Sequence, residues 1–133
     1  AVFFSLYGSI LDWLFVLLFS AIVIGLGLYW FHPELSWYVG LSGVLHGLFI
    51  YGAIREIRFY PFSGYILLLL LTGKLFWEFM NGALPGSEQM TGGHVLVEAH
   101  LYGALAGLAA VFLTWNLHLL HKLIQVKNRQ QDA

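Results

Sequence analysis

The chain has 133 residues, of which 59% are hydrophobic and 10% charged, with a net charge of −1 and no cysteine. A mean hydropathy of +0.78 excludes an ordinary soluble domain, where about 25% of residues are charged, and the near-neutral balance gives no attraction for nucleic acid. The missing thiols exclude disulfides, thiol catalysis and thiolate-bound metal, so the lipid bilayer is the expected partner and no cofactor is expected.

Ala1 to Tyr7 is apolar but too short to cross a bilayer, and it has neither an initiator Met nor the charged n-region of a signal peptide. It is expected to be the tail of an earlier helix, which would make the chain the C-terminal part of a longer protein. Apolar runs of about 20 residues, the length that a bilayer core requires, then predict spans over Leu11 to Trp30, Val39 to Ile57, Pro61 to Asn81 and Val95 to Leu119. Asp12 is expected to cap or solvate the inner end of the first span. His32 to Tyr38 and Gly82 to His94 read as loops, with His32 and His94 as loop or interface residues, and Pro33, Pro61 and Pro85 fall at boundaries. The expected fold class is all-α: a polytopic membrane helical bundle of about four full spans plus that tail, with residues 1–133 as a single domain.

Cations set the orientation. Arg55 and Arg58 end the second span and Lys122, Lys127 and Arg129 follow the fourth, whereas the two loops contain Glu34 and Glu88 but no Lys or Arg. The positive-inside rule makes the Arg55 end and the C-terminus cytoplasmic and the loops external. Trp30, Trp37, Tyr38 and Trp77 then lie near the outer interface, as an aromatic belt does.

In the second span, "GLSGVLHGLF" sets Ser42 between Gly40 and Gly43, with Gly47 one turn on; in the fourth, "AHLYGALAG" sets His100 before Gly103 and Gly107. Paired glycines at this spacing allow close helix approach. If the fourth span enters near His94 or Val95, about 1.5 Å of rise per residue puts His100 roughly 8 Å below the outer surface. Ser42 starts its helix at a similar depth, so a serine-histidine dyad is geometrically allowed. Imidazole, with a reference pKa near 6.5, can take the serine proton and return it to a leaving amine. The backbone N–H groups of Leu41, Ser42 and Gly43 at a helix N-terminus could stabilise an oxyanion. The plainer reading makes Ser42 a helix cap and His100 a buried polar residue with a neighbouring partner.

Gly-x-Ser-Gly at the head of one span with Ala-His-x-x-Gly-x-x-x-Gly in the last resembles the signature of rhomboid intramembrane serine proteases. The resemblance covers essentially the whole chain, as the last four spans of a six-span core. It implies a serine endopeptidase with Ser42 as nucleophile and His100 as base, supported by Gly40, His46, Gly103 and Gly107. Its substrates would be single-span membrane proteins, cleaved in or beside the transmembrane helix with water admitted from outside. The family's bacterial members keep this pair on the periplasmic side of the inner membrane. Many members have an aromatic residue where this chain has His46, which is expected to stack on His100 or hydrogen-bond to it. The family's His and Asn oxyanion donors would lie upstream of Ala1, so the fragment itself is expected to be inactive if they are required.

The third span contains Lys74 and Glu78, "GKLFWEFMNG". They read either as a mutually neutralising pair near the interface or as a pair facing the bundle that gates or recognises substrate. "GLSGVLHGLF" and "KLFWE" together resemble the bacterial rhombosortase branch, associated with proteins carrying a glycine-glycine, hydrophobic-helix, basic C-terminal tail. Glu98 lies on a different helix face from His100 and is not read as a third catalytic member. His118 and His121 share a face but have no nearby third ligand, so no metal site is expected. The alternative class is a non-catalytic rhomboid-like protein that binds and escorts transmembrane helices, for which neither Ser42 nor His100 is required. A transporter lacks support, since no span contains the internal proline or break that such sites use.

Overall fold

The structure, a computed structural model, describes residues 9–35, 40–91 and 95–131. The expected helix tail over Ala1 to Tyr7, the interfacial Trp37 and Tyr38, the Val39 start of the second span and His94 lie outside the described residues. Within them the chain forms helices and no strand: α1 over Ile10–Phe31, α2 over Ser42–Glu56, α3 over Pro61–Asn81, α4 over Ser87–Thr91 and α5 over Val97–Gln131.

Helix α1 begins where its sequence allows the first turn to be satisfied. The Ser9 side chain accepts from the Asp12 amide at 3.2 Å, and the Asp12 carboxylate accepts from the Ser9 amide at 3.1 Å, a reciprocal capping box. Asp12 also lies 3.8 Å from Arg55 of α2 and 3.9 Å from His118 of α5, joining three helices at this end. Pro61 opens α3, where its missing N–H is no loss. Gly82, at φ +80°, closes that helix, a conformation glycine adopts without a Cβ penalty. The expected loop after it contains the short α4, entered through a Leu84-Pro85-Gly86-Ser87 turn whose Ser87 amide donates to Leu84 at 3.0 Å and whose Gly86 has φ +82°.

Three helices are long and apolar enough to cross a membrane: Ile10–Phe31, Pro61–Asn81 and Val97–Gln125. The second expected span is shorter than anticipated. Helix α2 has 15 residues and rises roughly 22 Å, less than the hydrocarbon core of about 30 Å. It is held among α1, α3 and α5, with Gly43, Val44, His46, Gly47, Ile50 and Tyr51 among its buried residues. Conversely α5 runs well past Leu119 to Gln131, so Lys122, Lys127 and Arg129 continue the same helix rather than follow it.

The core lies along the α1–α2–α5 seam. Trp13, Val16, Tyr51 and Ala110 form one buried cluster, and Ile24, Leu28, Val44 and Ala99 a second nearer the other end. Trp13 meets Tyr51 edge to face at 5.3 Å. Tyr51 donates to Thr114 at 3.5 Å and accepts from Arg55 at 2.7 Å, which satisfies the phenol inside an apolar bundle. In α3 the buried residues are Gly64 and Glu78, one towards each end, while Phe62, Leu69, Phe76 and Phe79 are exposed. An apolar surface of this kind is suited to lipid rather than water.

Candidate active site

The glycines determine how closely the serine and histidine helices approach. A Cβ on Gly103 would collide with the Gly43 carbonyl oxygen, and one on Gly107 with that of Gly47. A Cβ on Gly43 would stand 2.6 Å from the Ala99 carbonyl oxygen. Backbone therefore meets backbone along this seam, and the matched order, 43 with 103 and 47 with 107, means that α2 and α5 run in the same direction. Both start at the same end of the bundle, and Ser42 and His100 lie near those starts.

There the His100 Nε2 and Ser42 Oγ are 3.0 Å apart. His100 is 4% exposed, whereas Ser42 is exposed, so the hydroxyl is reachable while its nitrogen partner is enclosed. His46, one turn below Ser42, stacks on His100 with ring centroids 4.3 Å apart and planes inclined by 19°. Of the two roles expected for His46, stacking is the one the structure shows. Its hydrogen bond goes to the Ser42 carbonyl, to which Nδ1 donates at 2.7 Å.

The other side of His100 holds the carboxylate of the Lys74–Glu78 pair. Glu78 Oε2 lies 2.9 Å from His100 Nδ1, and Glu78 Oε1 accepts from Lys74 Nζ at 2.6 Å. Glu78 is 3% exposed, so the Lys74–Glu78 pair faces the bundle. Its carboxylate also meets the imidazole. A signal for this contact was available: Glu78 precedes the end of α3 by about as many residues as His100 follows the start of α5, which gives the two matched depths.

The remaining expected residues are placed as follows. Gly40 and Leu41 precede α2, with Leu41 65% exposed, and the helix starts without a side-chain cap. The first amides of any α-helix have no partner within it, so those near Ser42 point out of the helix end. Glu98 is exposed and away from His100. It lines, with Glu78, Leu75, Phe79, Glu88 and Leu101, a cavity of about 650 Å³ between the C-terminal end of α3 and the start of α5. His32 pairs with Glu34 at 3.3 Å and His121 with Gln125 at 2.7 Å, while His118 faces Asp12.

A metal-capable trio lies elsewhere than the histidines considered from sequence. Ligand atoms of His46, Glu78 and His100 fall within 4.8 Å of one another. They suit a metal poorly, because nearly parallel stacked rings direct their in-plane lone pairs side by side rather than towards one tetrahedral centre. The Lys74 ammonium already stands against the carboxylate. What the group can do instead is move a proton: a hydroxyl, an imidazole and a carboxylate lie in hydrogen-bonded sequence, with an exposed oxygen at one end.

Compared with known proteins, residues 5–117 match the family model for the Rhomboid domain. No curated protein and no solved structure shows a significant match to the chain.

Proposed function

This chain belongs to the rhomboid family, an intramembrane protease family, and on that premise we propose that it is a serine endopeptidase using Ser42 and His100. The single observation that carries the reading is the 3.0 Å approach of the His100 Nε2 to an exposed Ser42 hydroxyl, at the hydrogen-bond separation that general-base activation requires.

In this mechanism Ser42 Oγ attacks the carbonyl carbon of a peptide bond while its proton passes to His100 Nε2. The carbonyl oxygen gains negative charge beside the amides of Leu41, Ser42 and Gly43, whose orientation at a helix start suits an oxyanion. The C–N bond breaks as the imidazolium gives its proton to the leaving amine. Water, deprotonated by the same nitrogen, then hydrolyses the ester and restores the serine. Substrates are membrane proteins whose scissile bond lies in or beside a single transmembrane helix. The cavity between α3 and α5, which shares Glu78 with the site, is where residues flanking that bond are accommodated.

The cation distribution supports a periplasmic active site and a cytoplasmic C-terminus in a bacterial inner membrane. The "GLSGVLHGLF" and "KLFWE" segments support a place in the rhombosortase branch, with glycine-glycine C-terminal tails as the substrates. Comparison of such tails with generic single-span substrates tests that finer assignment.

The test of the mechanism uses a fluorophosphonate probe and a single-span reporter with the full-length protein in liposomes. Labelling and cleavage are expected in the parent and lost in Ser42→Ala and in His100→Ala, with the double variant no worse than either single, as residues acting as one unit behave. Cleavage by Ser42→Ala overturns the reading. Binding of the reporter helix by the parent without labelling or cleavage assigns the protein to the escort class instead.

A further inference from the structure

We propose that Glu78 is a positioning residue that sets the proton of His100 on Nδ1, and that Lys74 keeps Glu78 able to do so. The site is a Ser42–His100–Glu78 relay with a lysine anchor rather than a two-residue dyad. The proposal rests on the reading of Ser42 and His100 as the reacting pair.

His100 can accept the Ser42 proton only if Nε2 is unprotonated, which requires the neutral ring to carry its hydrogen on Nδ1. An ionised carboxylate can only accept, so Glu78 Oε2 at 2.9 Å favours that tautomer. A protonated carboxyl at the same place could donate to Nδ1, leaving the hydrogen on Nε2 and the base blocked. Burial inverts this choice unless a cation compensates, because an unpaired charge in an apolar interior is strongly disfavoured. Lys74 provides that cation at 2.6 Å from the other carboxylate oxygen. Its 3.5 Å separation from His100 Nδ1 is too long for a strong bond, and a protonated Nδ1 offers an ammonium no acceptor.

The groups around this relay do not compete for it. From α2, His46 uses Nδ1 on the Ser42 carbonyl and presents its ring face to His100. From α5, Glu98 is exposed and faces the cavity, and Glu88 of α4 lines the same cavity. The charged residue of α1 is Asp12, at the opposite end of the bundle. Glu78, the one buried residue in the outer part of α3, has both oxygens engaged, one on the base and one on the anchor. A pair serving only to neutralise charge would not need the imidazole.

Two readouts test this in the full-length protein in liposomes. The first is the His100 ring tautomer, read from imidazole 15N shifts with selectively labelled histidine, which does not depend on turnover. The parent is expected to carry the proton on Nδ1, and Glu78→Gln and Lys74→Met to lose that preference. The second is cleavage kinetics: both variants should lose kcat with KM nearly unchanged, Glu78→Gln by on the order of 10⁴-fold, as when the third member of a serine triad is neutralised, and Lys74→Arg should restore most of the Lys74→Met loss. The double variant Lys74→Met/Glu78→Leu separates positioning from folding, because an apolar pair in place of a buried ion pair preserves or raises thermal stability while kcat stays low.

An unchanged tautomer in Glu78→Gln, or a kcat within about threefold of the parent, overturns the relay. If the parent itself neither cleaves nor labels, the protease reading fails on its own, and the tautomer still decides whether Glu78 orients His100. If the parent is active and requires Ser42 but is indifferent to Glu78, the relay alone fails.

Discussion

His46 is fixed on two sides, by its hydrogen bond to the Ser42 carbonyl at 2.7 Å and by the stack on His100 at 4.3 Å. A phenyl ring at this position would keep the stack and lose the bond. We expect His46→Phe to retain kcat within about tenfold and His46→Ala to lose roughly a hundredfold, since displacement of a reacting group by about 1 Å costs that much; steady-state cleavage of a reporter distinguishes them. Equal rates in the parent and the alanine variant would show that the ring has no positioning role. A second residue stands out for having no partner. Ser20 Oγ is buried without a hydrogen bond among the described residues, against Gly47. Ser20→Ala should leave thermal stability unchanged or raise it by about 1 kcal/mol, because an unsatisfied buried polar group is removed; clear destabilisation would mean that the hydroxyl is engaged. Ser42 and His100 were legible because their glycine spacings accompany them in the chain. The pairing of Glu78 with Lys74 was legible too, but its contact to His100 was overlooked despite the matched depths, because Lys74 accounts for the carboxylate locally and the contact comes from a different helix.

At the scale of the helices, glycine has three different meanings here. Gly103 lies against the Gly43 backbone, Gly27 against the Tyr102 ring at 2.9 Å from an added Cβ, and Gly25 against nothing within 4 Å. Gly103→Ala should therefore force α2 and α5 apart and lower kcat by on the order of a hundredfold. Gly27→Ala requires only an aromatic side chain to shift. Gly25→Ala should stabilise by about 0.5–1 kcal/mol through helix propensity with activity unchanged. Thermal unfolding and cleavage measured on the same detergent-solubilised samples check all three, and full activity in Gly103→Ala would separate the seam from the chemistry. Helix boundaries divide in the same instructive way. α1 and α3 fall within a residue of the hydropathy and proline signals, because lipid surrounds most of each. The start of α2 does not, since Gly40 and Leu41 are as compatible with an apolar span as with the non-helical approach they form. The end of α5 was placed too early, because hydropathy marks where a helix leaves the membrane and not where its hydrogen bonding stops.

For the whole molecule, the proposed orientation puts Leu41 outside and the far end of α5 inside. The chain has no cysteine, so single cysteines report cleanly. Leu41→Cys should react with an impermeant maleimide in intact spheroplasts, and Gln125→Cys only after permeabilisation; the reverse pattern would invert the topology. The glycine seam has one more consequence, for how the bundle finds itself. Between helices in a bilayer no hydrophobic force separates right neighbours from wrong ones, so apolar contact alone would tolerate α5 sliding along α2 by a turn, about 5.4 Å. The carbonyl contacts do not tolerate it. One step places Val111 over the Gly47 carbonyl, and the opposite step places the Ala99 methyl over that of Gly43, whereas the observed alignment puts glycine at both. The same four residues thus act as teeth that mesh in a single setting, and that setting brings Ser42 level with His100: assembly errors of one turn are rejected by steric collision before any chemistry could be misaligned.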